Sequence, residues 1–152
     1  MVELAELEAR IRKLENIEAI KQLKAKYWRS IDKKLWEELA ECFTEDATAD
    51  YGEYGISKGK AAIIKALKEG LGKNSTDTFH QGQSLEIQKI TDTKIKAVWR
   101  IHDYLLFEDP IHKSIRGYGF YEDEYTIEKG DWKIKKTKLV RIFGEIMERK
   151  LS

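Results

Sequence analysis

An α+β fold, with helices laid on one face of a strongly curved sheet, follows from three features of the 152-residue chain. Apolar residues recur at steps of three and four through the first third, the stripe of an amphipathic helix. From Thr78 the period changes to two and stays so almost to the end. The strand-like segments are joined by short polar connections suited to hairpins, and one of them, residues 94–107, would reach roughly 46 Å if straight. That exceeds the span of a domain of this size, so the sheet must bend.

Residues 1–16 place Leu4, Leu7, Ile11 and Leu14 in a short heptad-like seam among Glu, Arg and Lys, read as a helical extension that packs on the domain or on a neighbouring subunit. Ile17, Ile20, Leu23, Tyr27 and Ile31 form the stripe of the next helix, with Tyr27 among the buried positions. Asp32 stands five residues on, about 140° further round an unbroken helix. If both face one pocket, the helix must end between them. Leu35, Trp36, Leu39 and Phe43 then open a second helix that closes near Thr44, with Asp32 as its cap or turn. A short strand is expected around Ala47 to Tyr51, and a third helix over Ser57 to Gly72, followed by the polar loop 73–77. Four long strands follow, Phe79 to Ile90, Lys94 to Phe107, Ser114 to Ile127 and Trp132 to Phe143. Their connections are Thr91-Asp92-Thr93, Glu108 to Lys113 with the only proline, and Glu128 to Asp131, which predicts an antiparallel meander. No repeat, low-complexity stretch or linker divides the chain, which reads as a single domain over 1–152.

Charged residues make up 36% of the chain, yet 28 basic and 27 acidic side chains leave a formal charge of +1, so no global field invites nucleic acid or an anionic membrane. The first thirty residues carry no apolar leader, and no run approaches the roughly 18 apolar residues of a membrane span, so a soluble, cytoplasmic protein is expected. Cys42 is the only cysteine and sits in a helical stripe as a small buried hydrophobe.

Polar residues on apolar faces point to the chemistry. Ile95, Ala97, Trp99, Ile101, Leu105 and Phe107 share one face of their strand, and Asp103 shares it with them. A carboxylate there costs several kcal/mol unless paired, so Asp103 belongs either to a structural network, with a buried Tyr or Arg, or to a working site. Strict alternation turns His80 away from the face of Leu85 and Ile87, unless Gly82 marks a bulge that resets the phase. His102 falls on the face opposite Asp103 and His112 lies in a loop, so both read as surface histidines. Tyr121, Asp123 and Tyr125 share a face and read as cross-strand stabilisers. No His-Glu-x-x-His set suggests a metal, no Gly-x-Gly-x-x-Gly opens a helix, and no Gly-x-Ser-x-Gly offers a nucleophile. One His, two Asp and one Tyr remain, a set suited to moving protons without a cofactor.

The segments Lys26-Tyr27-Trp28-Arg29-Ser30-Ile31-Asp32, Phe79-His80-Gln81-Gly82, His102-Asp103, Gly119-Phe120-Tyr121-Glu122-Asp123-Glu124-Tyr125 and Val140-Arg141-Ile142-Phe143 resemble, in this order, the SnoaL-like branch of the NTF2-like superfamily. Within it the chain is most similar in motif to cofactor-independent dehydratases, notably the bile acid 7-alpha-dehydratases, and more distantly resembles scytalone dehydratase and the hexachlorocyclohexane dehydrochlorinases. The resemblance implies a cone-shaped α+β barrel around an apolar pocket, with Tyr27, Asp32, His80 and Asp103 as site residues, and a homo-oligomer, a trimer ahead of a dimer. It further implies a lyase that eliminates water or another small leaving group from a hydrophobic cyclic, polyketide-like or steroid-like molecule. His80 would take a proton from carbon, Asp32 would orient His80, Tyr27 would donate to a substrate oxygen, and Asp103 would hold Tyr27 or His80 or assist as a second acid. An isomerase or cyclase using the same groups, and a non-catalytic binding or oligomerising module, are the alternatives.

Overall fold

The computed structural model describes residues 1–73, 76–108 and 112–148. A single helix, α1 (Leu4–Asp32), runs unbroken through the seam of the first sixteen residues and the stripe that follows. The expected break between Tyr27 and Asp32 is absent. The helix ends after Asp32 because Lys34 takes a φ of 57° and the Leu35 amide donates back to the Ser30 carbonyl at 2.8 Å, closing the last turn from outside. Leu4, Leu7, Ile11 and Leu14 are exposed, whereas Ile20, Tyr27 and Ile31 are buried to 2% exposure or less.

The second helix, α2 (Trp36–Glu41), is capped by Leu35 and not by Asp32. It is also shorter than its apolar pattern suggests, because Phe43 already belongs to β1 (Phe43–Asp50). Phe43 is fully buried either way, and burial decides the phase of the pattern without deciding its period. A short 3-10 turn (Gly52–Tyr54) and β2 (Ile56–Lys58) precede α3 (Lys60–Leu71), which Gly72 follows. The meander then comprises β3 (Thr76–Ile90), β4 (Lys94–Phe107), β5 (Lys113–Glu128) and β6 (Asp131–Glu148). Residues 74–75 of the polar loop and 109–111, with Pro110, lie outside the described residues.

The six strands lie in the order β2-β1-β6-β5-β4-β3. All pairings are antiparallel except one: β1 runs parallel to β6, so the sheet is mixed and not a pure meander. The outermost strands β2 and β3 do not pair with each other, which leaves a curled, cone-like sheet and not a closed barrel. Its inner face carries Ile95, Ala97, Trp99 and Ile101 of β4, Tyr121 and Tyr125 of β5, and Ile134 and Leu139 of β6, all packed with Ile20, Tyr27, Trp28 and Ile31 of α1. Cys42 is buried in the same core.

Irregularities in the strands aim side chains at the core's open end. The β3–β4 register slips between Gln83 and Glu86, where Ser84 has a φ of 55°. This bulge puts His80 on the inner face together with Leu85 and Ile87. Gly82 is not the bulged residue. A Cβ there would fall 1.7 Å from the Trp28 ring, so Gly82 is bare because the indole occupies the space of its side chain. In β6 a second slip, opposite Tyr118 and Gly119, leaves Ile142 unpaired.

Candidate active site

A cavity of about 220 Å³ opens between the inner sheet face, α1, α3 and the 3-10 turn. Tyr27 and Ile31 come from α1, His80 from β3, Asp103 and Leu105 from β4, Tyr121 from β5, and Leu139 and Arg141 from β6. Tyr51, Tyr54, Leu67 and Leu71 close the other side. The walls are chiefly apolar and aromatic with a few convergent polar groups, the make-up of a small-molecule site.

Asp32 does not line this cavity. Its carboxylate stands behind His80, with Oδ1 2.6 Å from His80 Nδ1 and Oδ2 accepting the His80 backbone N–H at 2.9 Å. Thr78 Oγ1 donates to Oδ1 at 2.8 Å. The geometric conflict between Tyr27 and Asp32 on one helix is thus resolved: they occupy different faces, and His80 carries the effect of Asp32 into the cavity. An ionised carboxylate only accepts, so it holds a proton on Nδ1, and in the neutral imidazole Nε2 then keeps its lone pair.

Asp103 lies directly opposite His80 in the β3–β4 register, yet its hydrogen bond goes to neither His80 nor Tyr27. Arg141 Nη2 donates to its Oδ2 at 2.6 Å, and the carboxylate side chain is 1% exposed. Gly117 makes this possible, since a Cβ there would lie 2.2 Å from Arg141 Nη1 and 2.5 Å from Asp103 Oδ1. The Tyr27 hydroxyl lies 2.8 Å from that of Tyr51. Burial holds the phenols of Tyr27 and Tyr121 well above their ordinary range, and that of Tyr51 is pushed up by the same cause, so all three stay protonated as hydrogen-bond donors.

Of the four residues singled out by sequence, Tyr27, His80 and Asp103 meet at the cavity and Asp32 supports one of them from behind. Tyr51, Tyr121 and Arg141 were missed. Arg141 shares the phase of Thr137 and Leu139 along β6, an inward-facing arginine that answers the unpaired Asp103, so that signal was present. The sequence pattern groups Tyr121 with Asp123 and Tyr125 as cross-strand stabilisers, and the structure divides the trio: Tyr121 faces the cavity, whereas Tyr125 donates to Asp123 at 2.6 Å in the core. His102 lies on the outer sheet face as expected, half-buried and stacked on Tyr118. His112 is likewise half-buried, with a φ of 46°. Among the described residues no group of three or more His, Cys, Asp or Glu converges as a metal site. No helix there is long and apolar enough to cross a membrane.

The model of the SnoaL-like domain matches residues 12–138. The chain belongs to the SnoaL-like family. Among solved structures, a candidate scytalone dehydratase from Novosphingobium aromaticivorans DSM 12444 is 23% identical, with a TM-score of 0.81 over 94% of this chain and 93% of that one. The hexachlorocyclohexane dehydrochlorinase LinA Type2 is 20% identical, with a TM-score of 0.83 over 91% and 93%. ActVI-ORFA from Streptomyces coelicolor is 12% identical, with a TM-score of 0.66 over 84% and 98%. At these identities the likeness is one of fold. SnoaL-like membership accounts for the curled sheet, while the chemistry must be argued from the side chains that line its cavity.

Proposed function

We propose that the protein is a cofactor-independent lyase that removes water from a hydrophobic cyclic small molecule bound in the cavity. The observation that carries this is the Asp32–His80 pair, in which a carboxylate at 2.6 Å fixes the imidazole with its unprotonated Nε2 available to an apolar pocket. His80 Nε2 takes a proton from carbon, that C–H electron pair becomes the new double bond, and the C–O bond breaks on the neighbouring carbon. The oxygen leaves as water with the proton of the Tyr27 hydroxyl, and the proton on His80 restores Tyr27 for the next turnover. The Arg141–Asp103 pair places a guanidinium beside the cavity, where it steadies an oxygen that gains negative charge. A candidate dehydratase and a dehydrochlorinase stand among the structural neighbours, and both names denote eliminations, which supports the reaction class.

The experiment is a thermal-shift screen of hydroxy-ketones, phenolic polyketides and steroids on wild type and His80→Ala, with mass analysis of each mixture that shifts. Loss of one water from a hit with wild type and not with His80→Ala is the expected result. Unchanged mass with a rearranged product would make the protein an isomerase or cyclase. No conversion of any ligand that binds would make it a non-catalytic binding module.

We further propose a homo-oligomer, a trimer ahead of a dimer, assembled through the outer sheet face. His102, Tyr118 and Phe143 stack there in a row with successive ring centroids 4.6 Å apart, and Phe79 and Met147 are exposed on the same face.

A further inference from the structure

Behind the cavity tyrosines lies a Lys–Asp pair that the mechanism above does not use; burial lowers the Lys24 pKa, and the Asp123 carboxylate beside it opposes that shift. Lys24 and Asp123 are both fully buried, with Nζ 2.8 Å from Asp123 Oδ2. Asp123 also accepts from Tyr125 OH at 2.6 Å and Thr137 Oγ1 at 2.7 Å, and Trp99 Nε1 donates to Tyr125 at 3.0 Å. Stability does not explain the pair, because well-packed apolar side chains of similar volume hold a core at least as well as a buried ion pair.

What distinguishes the pair is what the ammonium faces. Lys24 Nζ stands 4.2 Å from the centroid of the Tyr27 ring and 4.0 Å from that of Tyr121, with Trp28 at 5.2 Å. The two nearest rings belong to tyrosines that line the cavity. A cation over a ring face is held by the electron density of the ring, and this attraction is strongest where water is excluded. That density rises as a phenol gives up its proton. The ammonium therefore stabilises Tyr27 more while it is donating than before, the differential that accelerates a step and that mere packing lacks.

We propose that Lys24 is a positioning residue for the SnoaL-like site: anchored by Asp123, its ammonium fixes the rings of Tyr27 and Tyr121 and makes the Tyr27 phenol a better proton donor. The role in turnover rests on the lyase reading; the effect on Tyr27 does not. Burial makes Tyr27 a reluctant acid, and the neighbouring hydroxyls of Tyr121 and Tyr51 add to this; in this proposal the cation beneath the ring opposes that shift. The other groups bearing on the phenol are the hydroxyls of Tyr51 and Tyr121, with His80, Asp103 and Arg141 across the cavity.

The test replaces the pair by neutral, similarly shaped side chains, Lys24→Met with Asp123→Asn, and introduces a more acidic tyrosine analogue at position 27 whose titration falls in the pH range the fold survives. Relative to the same analogue in the otherwise native chain, the midpoint rises by about one pH unit in the double variant, with the melting temperature retained. An unchanged midpoint in a folded double variant overturns the proposal and leaves the pair structural. Should the double variant not fold, nitrogen NMR of Lys24 in the native protein decides: an ammonium at neutral pH is required, and a neutral amine overturns the proposal. Neither measurement uses a substrate, so failure of the lyase reading is seen separately in the ligand screen. Once a substrate is in hand, the double variant lowers kcat about tenfold with KM unchanged, the mark of an interaction made chiefly in the transition state.

Discussion

Asp32 accepts three hydrogen bonds, from Thr78, the His80 amide and the His80 ring, and the last fixes which imidazole nitrogen is free. Asp32→Asn keeps the volume and replaces one acceptor by an amide donor, so the ring no longer has a carboxylate to hold its proton on Nδ1. Turnover is expected to fall by about 10²–10⁴-fold while stability drops by only about 1–3 kcal/mol, read from rates and from thermal melts of the same samples. Cys42 offers a prediction free of any substrate. Burial pushes its thiol from the ordinary 9.0 up to about 11. Between those values the unfolded chain has released a proton that the folded chain retains, so the folded state loses stability as pH rises through that window, by at most about 3 kcal/mol. Denaturant melts from pH 8 to pH 11 should show this decline, and Cys42→Ala should flatten it. Asp103 and Tyr27 could be singled out from sequence because a polar group on an apolar stripe is conspicuous without any knowledge of its partner. Arg141 was harder, since an arginine on the inward phase of a half-exposed strand looks like an ordinary surface residue until Asp103 is placed across from it.

At the scale of elements, the period of the apolar pattern foretold three helices and four long strands, and it failed where pairing and not period decides. Phe43 to Asp50 pairs in parallel with β6, and nothing local in that segment names a partner nearly ninety residues away. The phase-resetting bulge in β3 was legible as a possibility but not its position, for a related reason: Gly82 draws the eye, yet the slip sits at Ser84, and what Gly82 accommodates is the indole of Trp28 from another element. Two glycine substitutions separate these effects. Gly82→Ala drives a methyl into the Trp28 ring and should destabilise by about 1–3 kcal/mol, because α1 must move off the sheet. Gly70→Ala lies within α3, where a Cβ meets nothing within 4 Å, and should stabilise by about 0.5–1 kcal/mol through helix propensity alone. Chemical denaturation of both variants measures the pair; destabilisation by Gly70→Ala would show that α3 is packed more closely than its open flank indicates.

For the molecule as a whole, the open cone poses a problem that a closed barrel would avoid: one sheet face holds the core and the cavity, and the other is presented outward. The outward face is not uniformly polar. The row of His102, Tyr118 and Phe143 crosses β4, β5 and β6, and Phe143 is 57% exposed. Flat aromatic surface of this kind on a two-sided sheet is best satisfied by an identical sheet, since the same face is present on every copy and a cyclic arrangement uses it up without leaving an open edge. Tyr118→Glu with Phe143→Glu puts two carboxylates into the middle of that row, where desolvation and mutual repulsion oppose association. Light scattering on the eluting protein should show wild type as a homo-oligomer and the double variant as a monomer, with the circular dichroism of both alike. Because the substituted side chains point away from the cavity, a ligand found in the screen should still raise the melting temperature of the monomeric variant. Wild type that elutes as a monomer at micromolar concentration would remove the assembly, and loss of ligand binding in the monomer would mean that contacts across the outer face hold the Asp32–His80 arrangement in place.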